Sequence, residues 1–175
     1  MIKLYVDHTP GLGTKVIGSH FGDLIITKAY PHDYVFTSEA TIVNDPSMNT
    51  KFDPNWIIAK SCDDLAAYYR YQIISRFNIR LLKPSFDSHI SIVVGEEPII
   101  NVDNWNHFNG NIVRFKYTND IFTNGMHWWL RVECEEMNYI REYFGLNNDI
   151  HAPDGSIIKN PFHLTIGKTH PSDIS

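Results

Sequence analysis

Positive charge is in short supply in this chain. Fifteen Lys and Arg stand against 20 Asp and Glu, giving a formal net charge of −5. A surface built to neutralise the many phosphates of long duplex DNA is therefore excluded. A nucleotide or short oligonucleotide is not, because one cleft with a few cationic groups suffices for it. Cysteine is scarcer still. Cys62 and Cys134 belong to no Cys-x-x-Cys, and they read as reduced core thiols, not as a disulfide framework. No apolar run approaches the roughly 20 residues that cross a bilayer. The opening stretch MIKLYVDHTPGLG lacks the apolar region and cleavage site of a signal peptide. A cytoplasmic protein without a membrane partner is expected. Among nine histidines there is no H-E-x-x-H and no close Cys/His cluster, so neither a metal nor another cofactor is expected.

What is present is enough apolar material for a core. Hydrophobic residues make up 43% and aromatics 13% of 175 residues, which suits one domain over 1–175. Residues 1–60 read as a β-rich segment, with short strands at Ile2–Val6, Leu24–Thr27, Tyr34–Phe36 and Ala40–Val43. The Asn, Asp and Pro of Asn44–Asn55 mark a loop. Ser61 with Asp64 three residues on has the pattern of a capping box. Leu65, Tyr68 or Tyr69, Ile73 and Phe77 then recur at helical spacing, predicting a helix over Cys62–Phe77. NIVRFKY (Asn111–Tyr117) and HWWLRVE (His127–Glu133) alternate as strands. Met137, Ile140 and Phe144 mark a second helix that Gly145 can end. Asn147–Pro161 reads as a loop and His163–Gly167 as the last strand. Strands interleaved with two helices predict an α+β domain.

Two stretches carry chemistry. FDSHISIVVG (Phe86–Gly95) and PFHLTIGK (Pro161–Lys168) share one grammar: histidine, apolar, hydroxyl, apolar, then glycine. Alternation along a strand places His89, Ser91 and Val93 on one face and Ile90, Ile92 and Val94 on the other. It likewise places His163, Thr165 and Gly167 opposite Leu164 and Ile166. If both strands flank one groove, two imidazoles and two hydroxyls converge. Such a quartet suits phosphoryl transfer. A neutral imidazole takes the attacking proton, a protonated one supplies the leaving oxygen, and the hydroxyls donate to non-bridging phosphate oxygens. His-x-[Ser/Thr] is common singly, as HPS at His170 shows; the paired occurrence carries the inference. A helix precedes each histidine strand, over Ser61–Gly95 and again over Cys134–Gly167, a weak internal symmetry.

Two strands of the form His-apolar-[Ser/Thr]-apolar are the signature of the 2H phosphoesterase superfamily, which HISI and HLTI resemble residue by residue. The resemblance implies a bilobal α+β fold, with two mainly antiparallel sheets lining a central cleft and helices outside. It also implies His89 and His163 as the acid–base pair, with Ser91 and Thr165 holding phosphate. Members include RNA-ligase-like (LigT-like) 2′,3′-cyclic phosphodiesterases, viral enzymes cleaving 2′-5′ oligoadenylates, and phage anti-CBASS enzymes opening cyclic di- and trinucleotides. The match covers the two strands and the element order around them. Here the first histidine comes late in the chain, so residues 1–60 are expected to contribute strands or a lid.

Other signals are weaker. If the Trp128, Leu130 and Val132 face of HWWLRVE is core, Trp129 and Arg131 look into the cleft, where an indole stacks a base and a guanidinium holds phosphate. The alternative is a packed aromatic beside a solvated charge. Lys168 is either a phosphate contact or a solvent-facing strand end. Tyr68, Tyr69 and Tyr71 read as core and boundary residues, and GLGT (Gly11–Thr14) as a plain turn. The expected function is thus a metal-independent phosphodiesterase acting on a cyclic nucleotide or short oligonucleotide. The abundance of Asn, Ile and Tyr resembles phage proteins, which points to degradation of cyclic oligonucleotide immune signals in a host cytoplasm. The alternatives are an enzyme processing RNA 2′,3′-cyclic phosphate ends and a non-catalytic nucleotide-binding module.

Overall fold

The computed structural model describes residues 3–6, 36–46, 55–151, 157–159 and 162–169. The strand expected at Leu24–Thr27, the GLGT turn, most of the Asn44–Asn55 loop and the HPS tripeptide lie outside them. In chain order the strands are β1 (Lys3–Val6), β2 (Phe36–Asn44), β3 (Trp56–Ser61), β4 (Leu81–Leu82), β5 (His89–Val94), β6 (Ile112–Thr123), β7 (His127–Glu133), β8 (Asp149–His151), β9 (Ile157–Lys159) and β10 (Phe162–Thr169). Helix α1 (Asp63–Phe77) lies between β3 and β4, and α2 (Glu135–Tyr143) between β7 and β8. The molecule is α+β, as expected. Among the described residues no helix is long and apolar enough to cross a membrane.

Six strands close into an antiparallel barrel: β6 pairs β2, then β3, β5, β10 and β7 follow, and β7 returns to β6. Strand β1 adds to β6 in parallel and β4 to β10 antiparallel. Where the resemblance implies two sheets, these described strands join in one path. A belt of direct cross-strand partners runs through the six: Ile42, Ala59, Ile90, Leu164, Leu130 and Ile121. None of the six exposes any surface. Burying each larger aliphatic side chain stabilises by about 1.5–3 kcal/mol, which pins the register of the ring.

Both helices join the core on this aliphatic face. Helix α1 contributes Ala66, Tyr69 and Ile73, and α2 contributes Met137 and Ile140. The opposite face of the sheet, away from the helices, carries exposed side chains, among them Thr41, Lys60 and His163. Of the three helix tyrosines Tyr69 is core, while Tyr68 and Tyr71 are exposed.

The termini of α1 depart from the capping-box pattern. Ser61 ends β3, and its hydroxyl lies 2.9 Å from that of Ser88; the N-cap is Cys62, without a side-chain cap. Asp63 and Asp64 in the first turn complement the helix dipole instead. Asn78, in the left-handed region at φ 53°, ends the helix by donating its N–H to Ile74 O. As the N-cap, Cys62 is exposed, so only Cys134 is the expected core thiol. At the end of α2, Gly145 takes φ 73° and donates to Glu142 O, as its place after Phe144 predicts. The stretch read as a loop over Asn147–Pro161 contains the β8–β9 hairpin, with Ile150 opposite Ile158.

Candidate active site

The two motif strands are neighbours. Leu164 on β10 lies opposite Ile90 on β5. In an antiparallel ladder the next step each way sets Thr165 against His89 and His163 against Ser91. All four side chains stand on the face turned away from the helices. The histidine and hydroxyl of each motif thus lie to either side of the one recorded cross-strand pair, on the same face of adjacent strands.

A matching irregularity follows both motifs. On β5, Ser91 pairs with Ile58 but Val93 with Ile57, so Ile92 is an extra residue. On β10, Thr165 pairs with Trp129 but Gly167 with Trp128, so Ile166 is extra. Each is a β-bulge, and each exchanges the faces of the residues after it. The alternation expected from sequence therefore fails beyond the hydroxyls. Val93 and Gly167 turn to the core, while Val94 and Lys168 turn to the histidine face, opposite Trp56 and His127. Position 167 is tight for any side chain: an added Cβ would meet Leu81 Cβ at 3.0 Å and Leu82 O at 3.1 Å, so Leu81 or the Leu82 backbone would have to yield by a few tenths of an ångström.

His89 is held at its Nδ1, 2.7 Å from the Asp87 carbonyl oxygen. A carbonyl only accepts, so Nδ1 carries a proton and Nε2 is the nitrogen left to exchange one. The start of β5 is fixed by the Ser88 N–H donating to Asp63 Oδ1 at 2.7 Å and the Ser61 N–H to Ser88 O at 3.0 Å. Trp56 packs edge-on against the His89 ring, centroids 5.5 Å apart, and its Nε1–H reaches Ser91 Oγ at 3.4 Å.

His163 has a different setting. Trp129 lies 6.2 Å away and Arg131 is its direct partner on β7. The residue keeps solvent contact, while partial desolvation by neighbouring protein lowers its pKa below the ordinary value and the charges of His89 and His127 lower it further. His127 is also lowered, first by burial and then by Lys168.

Of the expected substrate contacts, Trp129, Arg131 and Lys168 all stand on the histidine face. Trp129 stacks on Phe122 at 6.5 Å, and the Arg131 guanidinium sits 4.2 Å over the same ring. Lys168 donates to Ser85 Oγ at 2.9 Å. Two runs of direct partners cross the face, Thr41, Lys60 and His89 on one side and Thr165, Trp129 and Phe122 on the other, and they meet beside the Leu164–Ile90 pair. A concavity of about 360 Å³ lined by Glu39, Thr41, Lys60 and Ile112 adjoins it through Lys60. Among the described residues no three His, Cys, Asp or Glu side chains are grouped to hold a metal ion.

Sequence reasoning missed Trp56 and Lys60. Period-two alternation counted back from Ser61 would have set both on one face of β3, but nothing local says which strand β3 joins. No family model, no curated protein and no solved structure matches this chain.

Proposed function

We propose that the chain is a 2H-type phosphodiesterase that cleaves a cyclic nucleotide or short oligonucleotide by two-histidine acid–base catalysis. The observation that carries this is the pairing of Leu164 with Ile90, which makes the two motif strands neighbours and flanks that one step with His89 and Ser91 on one strand and His163 and Thr165 on the other. In the reaction, the His163 ring takes the proton from the attacking water or ribose hydroxyl, whose oxygen bonds to phosphorus. The bond from phosphorus to the leaving oxygen breaks, and that oxygen takes the proton from His89 Nε2. The desolvation that disfavours a charge on His163 suits it to the base role. Ser91 and Thr165 donate to the non-bridging oxygens as charge builds. No step calls for a Lewis acid.

The bilobal arrangement belongs to the same proposal. Strands β2, β3 and β5 form one group with the first half of β6, and β7 and β10 form another with its second half. The groups meet at the Leu164–Ile90 pair and through β6, whose pairing with β7 shifts between Tyr117 and Ile121. Each group supplies one histidine strand. Cyclic oligonucleotide signals of host defence are the substrates proposed within this class.

The test is an assay of the purified chain, with EDTA, against cyclic dinucleotides, RNA ending in 2′,3′-cyclic phosphate, and 2′-5′ oligoadenylate. Opened product from at least one is expected, with its identity separating signal degradation from RNA end processing. Ligand bound but returned intact on denaturation would leave a binding module. Loss of turnover on chelation with rescue by zinc or manganese would move the chemistry to metal catalysis.

A further inference from the structure

The extra residue of each bulge has a carbonyl that accepts a hydrogen bond from a helix arginine. Arg70 of α1 donates from NH1 to Ile166 O at 2.7 Å. Arg141 of α2 donates from NH1 to Ile92 O at 2.7 Å. The pairing is crossed: the helix preceding the first motif grips the second motif strand, and the helix preceding the last strand grips the first. In both cases the gripped carbonyl belongs to the residue after the motif hydroxyl, three after the motif histidine.

The bulge at Ile166 has a direct consequence for the site, since it brings Lys168 round to the histidine face. With regular pairing Lys168 would point with Leu164 toward the helices. A bulge carbonyl left unpaired would also favour restoration of the regular ladder. We propose that Arg70 and Arg141 are positioning residues, which lock the bulges after Thr165 and Ser91 and so aim His163, Thr165 and Lys168 on one strand and His89 and Ser91 on the other. The assignment of an acid–base role to the histidines rests on the phosphodiesterase reading; the aiming of the strands does not.

Arg70→Gln and Arg70→Lys test it. Histidine ring signals followed by NMR across pH report the His163 environment, which His89 on β5 and His127 and Arg131 on β7 also face. In folded Arg70→Gln the slackened bulge admits water, so the His163 midpoint should rise by several tenths of a pH unit. Arg70→Lys, which keeps a donor, should return it most of the way. With a turned-over substrate, Arg70→Gln should also raise KM about tenfold through Lys168 while kcat falls less. An unchanged His163 midpoint in folded Arg70→Gln would overturn the proposal. So would a change that Arg70→Lys does not reverse, or failure of both variants to fold, since Arg70 would then serve the barrel as a whole. Absence of turnover by the wild-type protein on every substrate would instead defeat the phosphodiesterase reading, leaving the NMR outcome to decide on Arg70.

Discussion

His89 and His163 occupy equivalent steps of two strands that bulge at the same place, but their surroundings differ. His89 is tethered through Nδ1 to its own chain, and Trp56 and Phe86 pack beside it. His163 is crowded by Trp129, with Arg131, His127 and His89 all near. The tether fixes which His89 nitrogen exchanges protons, and the crowding discourages a charge on His163. The locks differ as well. Arg141 is buried and makes a forked pair with Glu96 at 2.7 and 2.9 Å, with further bonds to Ile92 O and Asn147 O. Among the described residues Arg70 bonds through its side chain to Ile166 O, and it is less buried. Like backbone geometry in the two halves thus carries unlike electrostatics, the difference that the proposed scheme uses to assign one acid and one base.

The comparison breaks most readily at the rings. His89→Ala and His163→Ala should each lower single-turnover rates roughly 10²–10⁴-fold, the usual scale of general acid–base catalysis. The double variant should lose far less than the product of the two, because the rings act as a unit. Near-normal turnover by either folded variant would end the two-histidine scheme.

Next in size is the lock of the first motif. Arg141→Ala leaves the Ile92 and Asn147 carbonyls without their donor and the partly exposed Glu96 without its partner, and should destabilise by about 1–3 kcal/mol for each carbonyl in urea unfolding. Arg70→Ala should cost only about 0.5–1.5 kcal/mol, the worth of one hydrogen bond. Equal losses would erase the difference drawn between the two halves.

The hydroxyls come third. Ser91→Ala and Thr165→Ala should slow the reaction by at most about 3 kcal/mol of transition-state stabilisation, with folding unaffected. Rate measurements on both would also show whether the Trp56 contact to Ser91 matters to the chemistry.

The smallest effect is on stability against pH. His163 has a folded pKa below its unfolded one, so between the two values the unfolded chain binds more protons and stability rises with pH. Acidification from neutrality should therefore remove a small stabilisation, which starts to fade near the ordinary histidine pKa of about 6.5. His163→Asn should flatten that limb in thermal melts at several pH values. An unflattened limb would show that the crowding around His163 is not what the strand geometry implies.

The parts legible in sequence were those governed by side-chain alternation. HISI, HLTI and HWWLRV announced which residues share a face, and helical spacing located α1 and α2. The bulges were not legible, because Ile92-Val93 and Ile166-Gly167 look the same whether one or both residues turn inward. Lys168 was therefore named as a candidate without any reason for facing the site. The arginines were hidden for another reason: a helix arginine looks like a solvated charge until the strand beneath it is known. Ser61 misled because its hydroxyl had a better partner in Ser88, a contact between residues 27 apart. The β8–β9 hairpin escaped notice because three-residue strands carry too little pattern.

The barrel closes through β10, which lies between β5 and β7 and also carries β4. Of the described strands it is the last in the chain. Until it has been synthesised, β5 and β7 present open edges able to pair with any other extended segment. Completion of the ring then requires contacts between distant parts of the sequence, a slow kind of topology to fold. Ribosome-bound or C-terminally shortened chains should accordingly be prone to aggregation, and a separate peptide spanning β10 should be able to bind and protect them.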